Sequence, residues 1–483
     1  MNKVMRNMHI ELAREELGWA YPDLSWFSEE EAREAHRQRQ ELLQALSGWI
    51  TYSFQGTKPH SGPLSPGCLI CGQGGWGCNF INSLCTRHCY YCPQDRSIQE
   101  ERESSTDGMV FRNPAEHVFF METFQIRGVG FSGGEPLLVL DRLLAYIRAI
   151  RERFGNSIYL WMYTNGDLLD RSVSKQLREA GLDEIRFDLC ARKYDLEPVV
   201  LAKEFFPTVT VEIPALPEDF DLLKGLLGEM ERVGVDFLNL HQLLTTRFNY
   251  KKLLQHPYHF LHQPGIPVFE SEICALQLLL FARENTIRLP INYCCHAYRH
   301  RFQDRDRRNR ISRWGLEGFE EITGAGFIRS FRVVDSPDRI DDLIRKFQEA
   351  HCSPDLWQSQ DRKTEVCIHR DLLPHVNGSS ADVTIRYCEP GVKFKAPGDG
   401  MMEGNLAPHR AVVYQGDGWS HVGVESWRRL YVERMSSSDV LRYFYRNYPA
   451  IGKDGILRMH KEAEQLKSIA IWEEIESGLP EVF

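Results

Sequence analysis

Cys85, Cys89 and Cys92 stand in the spacing Cys-x3-Cys-x2-Cys, within a stretch that places six cysteines between Cys68 and Cys92. Three thiolates on one short loop can hold one corner of a cubane, and a [4Fe-4S] cluster bound in this way keeps one iron without a protein ligand. Zinc asks for a fourth ligand in a closed site, and His88 lies inside the loop, so spacing alone leaves both metals open. A disulfide framework does not fit a chain of 483 residues with 13 cysteines, because dense staples belong to small secreted domains.

The elements that must position these thiols follow an alternating pattern. Apolar strand candidates occur at WGCNFIN (76–82), GVGFSGG (128–134), SIYLWMYTNG (157–166), DEIRFDL (183–189), TVTVEIPAL (208–216) and DFLNLHQL (236–243). Helical stretches such as LDRLLAYIRAIRERFG, SVSKQLREAG and LLKGLLGEMERVG separate them, which predicts consecutive βαβ units and a parallel sheet. Six such units make an open, partial barrel whose sites lie at the C-terminal ends of the strands. Residues 28–47 read as a capped, charged helix, followed by the Gly/Pro-rich loop SGPLSPG at 61–67.

The second strand ends in Phe131-Ser132-Gly133-Gly134-Glu135-Pro136, where two glycines allow close approach to the backbone and a carboxylate can accept from an amino group. Alone this is an ordinary turn. Together with the cysteine loop after the first strand it resembles the radical S-adenosylmethionine (radical SAM) superfamily, over residues 85–243. The resemblance implies a partial (β/α)6 TIM-type barrel in which Cys85, Cys89 and Cys92 bind a [4Fe-4S] cluster and SAM chelates the open iron. It also implies a SAM-binding stretch of Ser132, Gly133, Gly134 and Glu135, with Glu135 and the glycine backbone holding the amino group. Tyr91 would pack near the adenine, Arg186 or Asp188 would meet the carboxylate or ribose, and Ile213 would line the adenine pocket. An Ile in a strand is otherwise plain core, and an Arg-x-Asp pair an ordinary ion pair. The activity implied is reductive cleavage of SAM to a 5'-deoxyadenosyl radical that modifies a small-molecule or peptide substrate, fed by a low-potential donor of the flavodoxin or ferredoxin type. GPLSPGCLIC, LDEIRFDL, VEIPALP, DFLNLHQL and NYCCHAYRHRFQ resemble, more narrowly, an archaeal-type, pyruvate formate-lyase-activating-like branch, over residues 62–310.

Cys68-Leu69-Ile70-Cys71 and the vicinal Cys294-Cys295 would form a four-sulfur site if the fold brought them together, for zinc or an auxiliary iron–sulfur cluster. Otherwise they are small buried hydrophobes. Proximity of Cys68 and Cys71 to the cluster keeps open a variant reaction, transfer of the 3-amino-3-carboxypropyl group of SAM with methylthioadenosine left behind. The Arg-rich run 298–314 raises a third reading, a zinc or iron–sulfur nucleic-acid-binding module, although a formal net charge of -9 gives no global attraction to nucleic acid.

Beyond residue 330 the pattern changes to short strands at TEVCIHRDLL, ADVTIRYCEPGV, RAVVYQ and HVGVESW, with helices expected at 437–447 and 455–475. The expected organisation is an N-terminal helical extension (1–67), the barrel (68–330) and a small α+β C-terminal domain (331–483). His369, His375, Asp382 and His409 in that last part receive no role. At 42% hydrophobic and 26% charged residues, with no signal-type leader and no apolar run long enough for a bilayer, the chain reads as a cytoplasmic globular protein without a membrane partner.

Overall fold

The computed structural model describes residues 3–94, 103–107, 109–312, 316–359, 364–376, 382–389, 411–415, 418–422, 428–436, 464–480 and 482. Contacts divide the chain into one unit of Met1–Asp304 with Ser477–Phe483 and a second of Arg305–Glu476. The helical extension expected at 1–67 thus shares a unit with the barrel, and the boundary expected at 330/331 falls inside the second unit.

Seven parallel strands form the first unit: β1 (Trp76–Asn82), β2 (Gly128–Gly133), β3 (Tyr159–Thr164), β4 (Glu184–Phe187), β5 (Thr208–Pro214), β6 (Phe237–His241) and β7 (Ile291–Cys294). Each pairs with the next in sequence. The six expected strands are all present; β7 is an addition, in a tetrapeptide too short to carry a periodic signal. β1 and β7 do not pair. The antiparallel hairpin Thr51–Ser53/Lys58–His60 borders β7, and Ser104–Thr106/Met109–Phe111 borders β1, so the barrel stays open.

Helices return the chain after β2 to β6: α5 (Leu140–Phe154), α6 (Arg171–Ala180), α7 (Glu197–Lys203), α8 (Phe220–Val233) and α9 (Phe269–Glu284). Before them come α1 (Lys3–Leu17), α2 (Glu29–Leu46), α3 (Pro66–Gly72) and α4 (Pro114–Thr123). Local chemistry sets their limits. Ser28 and Glu31 close a capping box on α2, Ser65 caps the Cys68 amide of α3, and α6 runs from an Asp170 cap to Gly181, which terminates it in the left-handed region at φ 108°.

Alternation along each strand divides helix-facing from lumen-facing side chains. On β5, Val209, Val211 and Ile213 are buried on one face, while Thr210 and Glu212 join a polar network with Glu184, Arg186 and Asn239 on the other. Residues 477–483 belong to this unit rather than to the C-terminal domain in which the sequence places them. Gly478 donates to the Gln55 carbonyl (2.7 Å), and Val482 packs with Ala32 and Ala35 of α2.

The second unit is α+β. Ile328–Val334 is its central strand, flanked by Glu365–Ile368 and Asp382–Glu389, and Pro337–Glu349 is its long amphipathic helix. A separate hairpin pairs Ala411–Gln415 with Gly418–Val422, and the last helix spans Glu464–Glu473. The helix expected at 437–447, the first part of that expected at 455–475, residues 423–427, and His409 lie outside the described residues. Of the Arg-rich run, Arg308 is 2% exposed, bonded to the Ala325 carbonyl and stacked on Phe327, so it is not a free basic face; residues 313–314 are outside the described set.

Candidate functional site

β1 delivers the chain to the loop that carries Cys85, Cys89 and Cys92, all partly exposed and none in a disulfide. Four strand ends hold this loop. After β3, Asp167 takes both Arg87 nitrogens (2.6 Å each) and the Thr86 hydroxyl (2.9 Å), and Asn165 donates to Thr86 (2.8 Å), with its amide 3.9 Å from the Cys85 sulfur. After β4, Asp188 accepts the Tyr91 hydroxyl on both oxygens (3.0 Å). After β5, Glu218 accepts from Tyr90 and from Tyr258 (2.6 Å). After β6, Asn249 and Thr246 donate to the carbonyls of Tyr91 (3.1 Å) and Pro93 (3.0 Å).

The electrostatics follow these contacts. The Arg87 bond holds the Asp167 carboxyl below its usual range. Burial pushes Asp188 up to about 6, and burial with the Asp188 charge pushes Cys89 up to about 11.

The glycines at the tip of β2 serve the same loop. A Cβ on Gly134 would sit 1.6 Å from the Leu84 carbonyl oxygen, and Gly133 has φ 116° with its own Cβ position 2.2 Å from the Asn82 oxygen. The amides of Gly134 and Glu135 donate to Asn82 (2.9 Å) and Leu84 (2.7 Å), and the Asn82 side chain donates back to the Glu135 carbonyl (3.0 Å). The close approach that the glycines permit is that of the chain's own cysteine loop.

The structure gives the expected SAM-contact residues partners within the protein itself. The Glu135 carboxylate, 1% exposed and pushed up to about 7 by burial, accepts from the Thr164 hydroxyl (2.8 Å) and the amides of Asn165 (2.9 Å) and Leu137 (3.2 Å). It ties β2 to β3, with three of its roughly four lone-pair sites in use. Arg186 is spent inside the lumen on Glu184 (2.8 Å), Glu212 (2.7 Å) and Ser65 (3.1 Å), beneath the rings of Trp161 and Tyr163, so it is the ordinary ion pair. Asp188 is occupied by Tyr91, which makes both residues parts of the clamp. Ile213 lies on the face of β5 opposite Glu212 and does not join the lumen groups. Ser132 is half-buried on β2, paired in register with Phe80 of β1.

The second cysteine group assembles in part. Cys68 and Cys71 of α3 and Cys294 of β7 are buried, and Cys294 is hydrogen-bonded to Lys58, which is 1% exposed and comes from the edge hairpin. Burial opposes the Lys58 charge, but Cys294, then Cys68 and Cys71, outweigh it and hold its pKa above the usual value. The ammonium also lies 3.9 Å from the centre of the Tyr298 ring. Cys295 turns away: its thiol donates to the Thr57 carbonyl (3.1 Å) and caps the Tyr298 amide (3.3 Å). No four-sulfur set is assembled among the described residues. Among the described residues no three His, Cys, Asp or Glu groups converge as a single ion requires, and this includes Cys85, Cys89 and Cys92.

Sequence reasoning missed Arg87, Asn165, Asp167, Asn249 and Lys58. Asn165-Gly166-Asp167 directly follows a strand end, a position at which polar residues serve sites as often as turns.

Residues 80–224 match the family model described as the radical SAM superfamily. A Methanocaldococcus jannaschii protein described as a glycyl-radical enzyme activating enzyme is 26% identical over 297 residues, 59% of this chain and 78% of that protein. A Methanococcus aeolicus protein described as a GTP 3',8-cyclase is 32% identical over 110 residues, 23% of this chain and 35% of that protein. Among solved structures, SuiB of Streptococcus suis bound to S-adenosylmethionine aligns with TM-score 0.34 at 10% identity, covering 45% of this chain and 49% of SuiB. Coproporphyrinogen III oxidase of Escherichia coli, described as a radical SAM enzyme, aligns with TM-score 0.29 at 12% identity, covering 51% of this chain and 56% of that one. No helix among the described residues is long and apolar enough to cross a membrane.

Proposed function

Because residues 80–224 form a radical SAM domain and the chain is an enzyme of that class, we propose that Cys85, Cys89 and Cys92 hold a [4Fe-4S] cluster at which SAM is reductively cleaved. The observation that carries this reading is the clamp: a loop with three cysteines outside any disulfide, seated on Gly134 and fixed by residues after β3, β4, β5 and β6. A three-thiol set on one loop fits a cluster with one open iron. When bound, the cluster supplies a low-potential electron to the sulfonium of SAM, which yields methionine and the 5'-deoxyadenosyl radical.

The chain's own residues do the positioning. Asp167 and Asn165 fix the Cys85 end of the loop, and Asp188 and Asn249 fix the Cys92 end. Gly133 and Gly134 bring the β2 tip against the loop, and Glu135 locks that tip to β3, so that β2, β3 and the loop form one rigid corner. The SAM amino group then falls to main-chain acceptors and Ser132 along the β2 tip rather than to Glu135 alone. The substrate is a small molecule or peptide; the likeness to a glycyl-radical enzyme activating enzyme favours a peptide. A low-potential protein donor of the flavodoxin or ferredoxin type delivers the electron.

Anaerobically reconstituted protein with SAM and dithionite, its nucleosides followed by mass spectrometry beside Cys89→Ala, tests the reading. The expected result is 5'-deoxyadenosine from the wild type alone. Methylthioadenosine would replace it with aminocarboxypropyl transfer, and no nucleoside product from cluster-loaded wild type would overturn both.

A further inference from the structure

Charge at the mouth of the barrel is distributed unlike that of the rest of the chain. The protein carries 67 acidic residues and a net charge of -9, yet neither the cysteine loop (83–94) nor the segment 237–269, which supplies Thr246 and Asn249 to the clamp, contains an Asp or Glu. These two stretches hold Arg87, His88, Arg247, Lys251 and Lys252 instead. The carboxylates that other strand ends bring to the loop, Asp167, Asp188 and Glu218, are turned onto its own Arg87, Tyr91 and Tyr90.

Beside the loop, aromatic rings and cations face solvent together. Trp19 is 74% exposed and Phe248 42%. Arg247 and Lys251 are exposed as well, and among the described residues neither has a carboxylate partner. Each lies over a ring instead: the Arg247 guanidinium is 4.8 Å from the centre of Phe248, and the Lys251 ammonium 5.5 Å from that of Trp19. Tyr250, buried between them in sequence, meets Trp19 edge-on at 5.8 Å, so residues 247–251 and Trp19 make one surface. Rings needed only for the core would be buried; exposed aromatics with Arg are what protein interfaces collect, and unpaired charge beside them steers a partner. The patch is tied to the cysteine loop. The Phe248 amide donates to the Thr246 hydroxyl oxygen (3.2 Å), and that hydroxyl donates to the carbonyl of Pro93 (3.0 Å), the residue after Cys92.

We propose that Trp19, Arg247, Phe248 and Lys251 form the docking surface for the electron donor, a small low-potential carrier protein with an acidic face around its flavin or iron–sulfur group; this rests on the radical SAM reading above. Charge complementarity selects the occupant. A reduced flavin or iron–sulfur group is anionic, and an acidic face around it is repelled by most of a chain of net charge -9 and drawn to the acid-free stretch. Position selects it too, since Thr246 and Pro93 link the patch to Cys92. The donor is oxidised by one electron and the mouth cluster is reduced by it, with no bond made or broken and no proton transferred. Four side chains suffice for such a partner, because redox encounters bury little surface, roughly 1,200 Å² or less.

The test compares the wild type with Arg247→Glu/Lys251→Glu, both as cluster-loaded full chains. The probes are a flavodoxin and a [4Fe-4S] ferredoxin, each photoreduced, beside dithionite, which needs no docking surface. Iron content and 5'-deoxyadenosine formation with dithionite should be equal in the two proteins, while the rate with the better carrier falls about 10-fold or more in the variant and loses most of its salt dependence. Binding is read separately. Calorimetry with the oxidised carrier should give an affinity that weakens with salt in the wild type and is about 10-fold or more weaker in the variant. Trp19→Ala/Phe248→Ala keeps the charge and should weaken binding at high salt as well as low. No nucleoside from the wild type with dithionite would be a failure of the SAM reading, and calorimetry would still decide the docking. Unchanged carrier binding and rate in the charge variant, an equal loss with all reductants, or a wild type that neither carrier binds or reduces would overturn the proposal. A wild-type dimer that the charge variant dissociates would give the patch to a second copy of the chain and overturn it as well.

Discussion

Cys85, Cys89 and Cys92 come from one loop at the mouth of the barrel, partly exposed and held by carboxylates and amides from four strand ends. Cys68, Cys71 and Cys294 come from a helix ahead of β1 and from the last barrel strand and are buried. The first group owes its geometry to its neighbours: take away the clamp and eight residues of loop are free to spread. The second group owes its geometry to the core, since α3 and β7 are packed whether or not anything is bound. An open mouth suits a site that admits SAM and substrate, whereas a closed interior keeps its cysteines away from both.

The largest expected effect that separates the two regions is that of Gly134→Ala. A Cβ 1.6 Å from the Leu84 oxygen cannot be accommodated without moving the β2 tip or the cysteine loop, and Leu84 directly precedes Cys85. We expect loss of the mouth cluster and of SAM cleavage, together with about 3 kcal/mol or more of stability. Iron analysis and urea unfolding check both; mouth-site iron at wild-type level would show that the loop does not depend on this contact. A smaller effect is expected for Asp167→Ala, which removes the acceptor for Arg87, Thr86 and Arg192. Loss of such a supporting partner costs roughly 10- to 100-fold in cluster affinity or activity. Iron titration of the mouth cysteines checks this, and binding at wild-type strength would show that the clamp does not hold the loop.

How much of this could be read in the sequence differs between the same two regions. The six parallel strands were legible because each carries a run of apolar residues, and the cysteine loop because its ligands are close in sequence. β7 was not, since Ile291–Cys294 offers only four residues, so the Cys294-Cys295 pair was picked out without the strand that carries its first member. Lys58 was invisible as a neighbour of Cys294 because the hairpin brings it there through a single register contact, His60 with Asn292. At the mouth, the GGEP stretch was found but its contacts within the chain were not: the glycines make room for Leu84 and Asn82, and Glu135 bonds to Thr164 and Asn165. Strand direction and alternation, not residue type, decide which face and depth a side chain occupies, and they set Arg186 against Glu184 and Glu212 and Ile213 on the face of β5 opposite Glu212. Asp167 and Asn249 look in sequence like turn residues, and only the fold shows what they hold.

Glu135 gives the smallest and most specific expectation. Its carboxyl, with an ordinary value of 4.5, is pushed up to about 7 by burial, so the folded chain binds its proton more tightly than the unfolded chain does. The contribution to stability is therefore fully present below about pH 4.5 and is lost as pH rises through about 7. Over that window the swing is roughly 3 kcal/mol by linkage if the shift is fully expressed. Glu135→Gln removes the titration while keeping the oxygen that accepts from the Thr164 hydroxyl and the Leu137 amide, at the cost of leaving the Asn165 amide short of a partner, about 1–2 kcal/mol. The variant should thus be less stable than the wild type at low pH, yet flatter in its pH dependence, and the two curves should draw together toward pH 7. Urea midpoints between pH 4.5 and 8 measure this directly. Parallel curves would mean that the carboxylate titrates as an exposed one does, and would return Glu135 from the wall between β2 and β3 to the open mouth, where a ligand amine could reach it.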